Sequence, residues 1–174
     1  MDARGESESA PMKNATTTER TSDRELFVTR TVNGPARLVF EAWTRPDLFK
    51  RWWVPRSTGM SLLSCEMDVR VGGTYRLVFR HEAFPEPMAF FGRYVEVTPL
   101  SRLVWTNEEG GEDGAVTTVT FEERGAETLV VVHDLYPSKE ALDGAIASGS
   151  TGGFSEQFEQ LDELLATLGA SVGS

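Results

Sequence analysis

The stretch that decides the fold lies near the C-terminus and reads FSEQFEQLDELLATL over residues 154–168. Its large apolar side chains recur at helical spacing (i, i+4, i+7, i+11 and i+14) and are Phe154, Phe158, Leu161, Leu165 and Leu168. Acidic side chains are expected to form the solvated face, and they are Glu156, Glu159, Asp162 and Glu163. Gly169 follows as a candidate C-cap. The pattern predicts one amphipathic helix about 25 Å long. Such a helix must bury its apolar face against a second layer.

The residues before this helix supply that layer, because they read as a series of β-strands. Residues 74–80 alternate cleanly and place Tyr75, Leu77 and Phe79 on one face. Turn-forming residues such as Gly, Pro, Asn and Ser separate the runs. The predicted strands cover residues 25–32, 61–68, 74–80, 88–98, 102–107, 116–123 and 128–134. Their spacing favours an antiparallel meander.

Two short helices are predicted between the first and second of these strands. Asn33-Gly34-Pro35 ends the first strand, and Val39 and Trp43 follow at helical spacing. Leu48 and Trp52 lie one turn apart on the second helix. This element order predicts an α+β fold. A curved antiparallel sheet of six to seven strands would hold the long C-terminal helix across its concave face.

The chain of 174 residues suits one domain with some sequence left over. Residues 1–23 are polar and are expected to form a disordered tail. Residues 24–169 are expected to form the single domain, and residues 170–174 a flexible C-terminus.

Charge and cysteine content narrow the partners and the compartment. The net charge is −10, and residues 101–174 carry 3 basic and 14 acidic side chains, a balance of −11. Such an acidic half repels phosphates, so nucleic-acid binding is not expected. Cys65 is the single cysteine and excludes an intrachain disulfide, which favours a reducing, cytoplasmic setting. No apolar run approaches the roughly 20 residues of a membrane span, and no secretory signal is visible.

Several stretches resemble a known superfamily. They are Trp52-Trp53-Val54-Pro55, residues 68–75 (DVRVGGTY), residues 92–97 (GRYVEV), residues 99–106 (PLSRLVWT) and residues 128–133 (TLVVVH). In order and spacing they resemble the SRPBCC (START-like) superfamily, and within it the branch of activator of heat-shock protein 90 ATPase homologues. The resemblance covers residues 25–168. It implies a helix-grip fold and a cavity for apolar or aromatic small molecules, but it does not fix one activity.

The leading functional hypothesis is therefore binding of an apolar or aromatic small molecule between the sheet and the C-terminal helix. No cofactor is expected. The side chains predicted to contact the ligand are Trp53, Tyr75, Leu77, Phe79, Phe91, Trp105, Val131, His133, Phe154 and Phe158.

An enzyme of the cyclase or lyase type is the first alternative, with His133 as its acid–base group. If Leu129 and Val131 face the cavity, the period of two places His133 there as well. Catalysis would then need an inward-pointing partner such as Arg76, Glu66 or Asp134. The competing interpretation of His133 is a core histidine bonded to a backbone group.

Other chemistry finds little support in the sequence. His81, His133 and Cys65 show no metal-ligand spacing, so no metal site is expected. Cys65 reads as a small core residue. A protein–protein interaction with heat-shock protein 90 follows from the family resemblance alone and is the second alternative. A homodimer also stays open.

Overall fold

One antiparallel sheet forms the main layer of the molecule. The structure is a computed structural model and describes residues 16–83, 85–108, 114–147 and 154–173. The described strands are Thr17–Arg20 (β1), Glu25–Val32 (β2), Ser61–Met67 (β3), Thr74–Arg80 (β4), Met88–Thr98 (β5), Arg102–Thr106 (β6), Val116–Arg124 (β7) and Glu127–Leu135 (β8). They pair in the order β1-β2-β8-β7-β6-β5-β4-β3. Strands β3 to β8 thus form the expected meander.

The helices lie between β2 and β3 and after β8. They are Ala36–Thr44 (α1), Pro46–Trp52 (α2), Lys139–Ala147 (α3) and Phe154–Gly173 (α4), with a short 3₁₀ turn at Arg56–Thr58. Helix α4 packs against α1, α2 and β2. The two short helices after the first predicted strand and the long C-terminal helix are therefore confirmed.

The core lies between the inner face of the sheet and these helices. Val28 of β2 pairs with Val132 of β8, and both are almost completely buried. Phe158 and Leu161 of α4 are fully buried on the facing layer. Each buried aliphatic or aromatic side chain contributes about 1.5–3 kcal/mol, so this alternation fixes which face of each strand turns inward.

Polar groups on α4 anchor it to its neighbours. The Gln160 side-chain amide donates to the carbonyl oxygens of Trp52 and Val54, each at 2.9 Å, and its oxygen accepts from the Arg56 N–H. Asp162 forms a 2.8 Å ion pair with Arg30 of β2. Both groups are largely buried, so the expectation that Asp162 lies on the polar, solvated face is wrong.

The sheet has one more strand than the six to seven expected. The extra strand, β1, lies inside the segment 1–23 that was expected to be disordered; residues 1–15 of that segment lie outside the described part. All four β1 residues are exposed and polar, so they carry no apolar alternation that could reveal a strand. Backbone pairing with β2 holds them in the sheet.

Two helix features also differ from expectation. Helix α3 was not predicted, because Leu142 is its single buried residue and it therefore lacks an apolar stripe. Ser138 accepts from the Ala141 N–H and caps its start. Helix α4 continues through Gly169 to Gly173. An isolated glycine costs a helix about 1 kcal/mol but does not by itself end it.

No helix in the described ranges combines the length and hydrophobicity that a membrane span needs.

Candidate functional site

A two-lobed cavity lies between the inner face of the sheet and the helices. Four side chains border both lobes and form the waist between them: Trp43, Trp53, Trp105 and Asn107. We call the two halves the apolar lobe and the polar lobe, after the side chains that line each of them.

The apolar lobe lies over β4 and β5. The volume open to the centres of water-sized molecules is about 90 Å³. Besides the waist, its lining residues are Phe49, Met67, Tyr75, Leu77, Phe90 and Tyr94. Gly92 makes room for this arrangement, since a Cβ there would lie 1.9 Å from the Thr106 carbonyl oxygen and 3.0 Å from the Tyr75 ring.

The polar lobe lies over β7 and β8, beside α3 and the start of α4. It is larger, with about 320 Å³ open to the centres of water-sized molecules. Besides the waist, its lining residues are Thr117, Val132, Asp134, Tyr136, Ala145 and Phe154.

The tryptophan rings of the waist pack against one another. The Trp43 ring centroid lies 5.8 Å from that of Trp53 and 6.0 Å from that of Trp105. The Trp52 ring centroid lies 4.8 Å from that of Trp43, and the Trp52 indole N–H donates to the Ala42 carbonyl oxygen at 2.9 Å. The Trp43 indole N–H is buried and has no hydrogen-bond partner among the described residues.

A row of hydrogen bonds crosses the sheet from one lobe to the other. The Tyr75 hydroxyl donates to the Thr106 carbonyl oxygen at 2.8 Å and lies 3.2 Å from the Asn107 side-chain oxygen. The Asn107 amide donates to Thr117 Oγ1 at 3.0 Å. Thr117 Oγ1 then donates to Asp134 Oδ1 at 2.6 Å. The cross-strand pairing of Thr117 with Asp134 places these last two side chains together. The row gives an otherwise apolar cavity one polar wall.

Asp134 is the electrostatic centre of this wall. Burial raises the pKa of its carboxyl above the ordinary value, while the hydrogen bond from Thr117 and the nearby charge of His133 act in the opposite direction. Burial, assisted by the charge of Asp134, also raises the pKa of Tyr136 to about 12. The polar lobe thus holds one acid whose proton is bound more tightly than usual.

Five of the ten residues predicted to bind ligand do line the cavity. They are Trp53, Tyr75, Leu77, Trp105 and Phe154. Phe79 and Phe158 are buried but lie in the packed core and do not line either lobe.

The expectation that His133 and Val131 face the cavity is wrong. The buried residues of β8 are Thr128, Val130, Val132 and Asp134. These residues face inward, and the alternate set that contains Val131 and His133 faces outward. His133 lies on the outer face, with Nε2 3.0 Å from a carboxylate oxygen of Glu25 and its ring 4.5 Å from Phe27. Residues 129–132 are all apolar, so the run lacks the alternation that would show which set is buried.

The prediction that Phe91 contacts the ligand is also wrong. Phe90 lines the apolar lobe, whereas Phe91 is 40% exposed on the outer face of β5. Because Phe90 and Phe91 are adjacent and equally apolar, the sequence does not show which of them faces inward. The pairing of Leu77 with Phe90 resolves it, but the register of β4 with β5 cannot be read from the sequence.

Sequence reasoning did not assign several lining residues to the site, chiefly Asn107, Thr117, Asp134 and Tyr136. The sequence suggests Asp134 only as a partner for His133. The signal for the polar row is the register of the β7–β8 hairpin, which sets Thr117 opposite Asp134. Glu66 and Arg76, the other suggested partners, pair with each other across β3 and β4 and are exposed on the outer face.

Sequence comparison agrees with this architecture. The sequence profile of a family described as "Activator of Hsp90 ATPase homolog 1-like protein" matches residues 33–166, well over half of the chain. The chain belongs to this family. A comparison with curated proteins gave no match.

Solved structures of bacterial proteins share the fold of this family member. A crystal structure of a protein from Rhodobacter sphaeroides has a TM-score of 0.79 at 22% identity and covers 88% of this chain and 99% of its own. A protein from Mycobacterium smegmatis gives 0.75 at 22% identity, with coverage of 88% and 99%. The AHSA1-like protein from Aeromonas hydrophila gives 0.64 at 17% identity, with coverage of 82% and 94%. The helix-grip fold expected from the sequence is confirmed.

Proposed function

We propose that this protein binds a small molecule with an apolar or aromatic body in the two-lobed cavity. The observation that supports this most strongly is the aromatic lining of both lobes, which meet at a waist of three tryptophans. Ligand sites are typically concave and mostly apolar, with a few polar groups that fix orientation. The row from Tyr75 to Asp134 is such a set of polar groups.

The two lobes determine the orientation of the bound molecule. The apolar body lies against Leu77 and Phe90, where no charged side chain among the described residues lines the wall. A polar substituent then points into the polar lobe, toward Asn107, Thr117 and Asp134.

The cyclase or lyase alternative loses the acid–base group on which it was based. His133 lies on the outer face and interacts with Glu25 and Phe27 there. A group on that face cannot reach a molecule held between the sheet and the helices. Binding without His133 chemistry is therefore the function that the geometry favours.

A fluorescence titration tests the proposal with a neutral apolar probe, N-phenyl-1-naphthylamine, whose emission rises in an apolar site. Ala145 of α3 lines the polar lobe, so Ala145→Phe places a ring inside the cavity. We expect saturable binding by the wild-type protein and at least about fivefold weaker binding by this variant, because the added ring occupies space that the probe would otherwise fill.

Ala147→Phe is the matched control, because Ala147 lies on the same helix but is exposed. It should leave the affinity of the probe unchanged. Equal weakening by both variants, or no saturable binding by the wild-type protein, would contradict binding in this cavity.

A further inference from the structure

The polar lobe combines one buried carboxyl group with a set of aromatic rings. We propose that the polar substituent of the ligand is a protonated amine, held by Asp134 and by the surrounding aromatic side chains. This inference rests on the proposed function, since it assigns the head group of the molecule that the cavity binds.

The charge of the lining is the first argument. Asp134 is the one residue with a formally charged side chain among the described residues that line either lobe, and no lysine, arginine or histidine lines them. A carboxylate ligand would meet no counter-charge there and would be repelled by Asp134. A cation would meet its opposite charge at short range, where the low dielectric strengthens the attraction.

The rings around Asp134 are the second argument. The aromatic residues that line the polar lobe are Trp43, Trp53, Trp105, Tyr136 and Phe154. The negative face of an aromatic ring attracts an ammonium group within about 6 Å, and tryptophan is the strongest of the three aromatic types. A lobe built from five such rings and one acid therefore suits an ammonium group better than a neutral one.

The hydrogen bonds of Asp134 leave a place for the ligand. Oδ1 accepts from Thr117 at 2.6 Å, and no described residue donates to Oδ2. Thr117 is itself held by Asn107. The acid is therefore fixed in position with one oxygen left to accept a hydrogen bond from the ammonium group.

The protonation state of Asp134 gives the inference a distinct signature. Burial raises the pKa of this carboxyl, so in the empty cavity it holds its proton more tightly than an exposed aspartic acid. A bound cation lowers that pKa and expels the proton. Tyr136 within the lobe and His133 on the outer face are the titratable neighbours, and the charge of His133 also favours the ionised acid.

Isothermal titration calorimetry with three probes of one size tests the assignment: 2-phenylethylamine, 2-phenylethanol and phenylacetate. We expect the amine to bind at least about tenfold tighter than the alcohol, because charge complementarity at short range discriminates between a cationic and a neutral partner. Phenylacetate should bind most weakly. Below the raised pKa of Asp134, binding of the amine should release a proton, which is measured in buffers of different ionisation enthalpy.

Asp134→Asn keeps the shape and the hydrogen bond from Thr117 but removes the charge. It should abolish the preference for the amine and the proton release, while His133→Asn on the outer face should retain both. Thermal melting of each variant verifies its fold. The comparison of the three probes on the wild-type protein does not depend on any variant.

The outcomes separate the two proposals. Binding of N-phenyl-1-naphthylamine without a preference for the amine over the alcohol would overturn the amine assignment and leave cavity binding in place. A preference that survives in Asp134→Asn would also overturn it. Absence of saturable binding of N-phenyl-1-naphthylamine would overturn the proposed function itself.

Discussion

Asp134 and His133 are chain neighbours on β8 that point to opposite faces of the sheet and meet opposite environments. His133 is partly exposed, and its Nε2 forms a hydrogen bond with the Glu25 carboxylate. This hydrogen bond is the main reason why the pKa of Glu25 is lowered. Asp134 lies among apolar and aromatic side chains, and its pKa is raised by burial. The residue that sequence reasoning assigned to the cavity is therefore a surface residue, and its neighbour is the acid of the site.

The pH dependence of stability follows from the position of Asp134. Its pKa is about 3.9 in the unfolded chain and higher in the folded protein, so its contribution lowers stability as the pH rises between these two values. Asp134→Asn removes this loss. We expect the variant to melt a few degrees higher than wild type at pH 7, since about 1 kcal/mol shifts Tm by about 2–4 °C at this size.

Melting curves from pH 3 to pH 7 test this expectation. The difference in Tm between the variant and the wild-type protein should be smallest at pH 3, below the unfolded-state pKa of about 3.9, where Asp134 is largely protonated in both states. A difference that does not change with pH would mean that the carboxyl titrates normally in the folded protein.

At the scale of the elements, one buried ion pair joins helix α4 to strand β2. The Arg30 and Asp162 side chains are 7% and 15% exposed, and their charged atoms are 2.8 Å apart. Asp162 also accepts from the Asn33 N–H at 2.8 Å, and Thr16 accepts from Arg30 at 3.0 Å. The pair fixes how α4 crosses the sheet, and the cavity depends on that crossing.

Removing one partner should therefore be costly. We expect Asp162→Ala to lower the free energy of unfolding by about 3–5 kcal/mol, because it leaves the buried Arg30 guanidinium without its counter-charge. Denaturant unfolding measures this change.

Glu163→Ala is the matched control on the same helix. Glu163 pairs with Arg56, but the two side chains are 59% and 67% exposed. Exposed pairs contribute about 0–1 kcal/mol, so the control should change stability by no more than that. Similar losses in the two variants would contradict a special role for the Arg30–Asp162 pair.

The elements were predictable where apolar spacing was strong and unpredictable where it was absent. Helix α4 follows from the stripe that includes Phe158 and Leu165, and β4 from the alternation of Tyr75 and Leu77. Strand β1 and helix α3 gave no such signal, because β1 has no buried residue and α3 has one. Strand β1 is held by backbone pairing with β2, helix α3 by its Ser138 cap, and the two elements are joined by the Arg20–Asp143 ion pair. None of these contacts appears as apolar spacing in the sequence.

For the whole molecule, the fold and the presence of a cavity could be predicted from the sequence. Of the ten side chains predicted to contact the ligand, five line the cavity and five do not. The order of elements and the family resemblance were sufficient for the helix-grip fold. The lining depends on the phase of β5 and β8 and on the register of β7 with β8. Runs such as residues 129–132 are apolar throughout, so both phases fit the sequence until the helices define the inner face.

The four tryptophans allow the most direct test of the two-lobed cavity as a binding site. Trp43, Trp53 and Trp105 line it, whereas Trp52 is buried outside it with its indole N–H bonded to the Ala42 carbonyl oxygen. Their indole N–H signals can be followed by ¹H–¹⁵N NMR during a titration with 2-phenylethylamine. We predict saturable shifts of the three cavity signals and a much smaller shift of Trp52. Shifts confined to outer-face residues such as Phe91 and Val95, with all four indole signals unmoved, would contradict binding in this cavity.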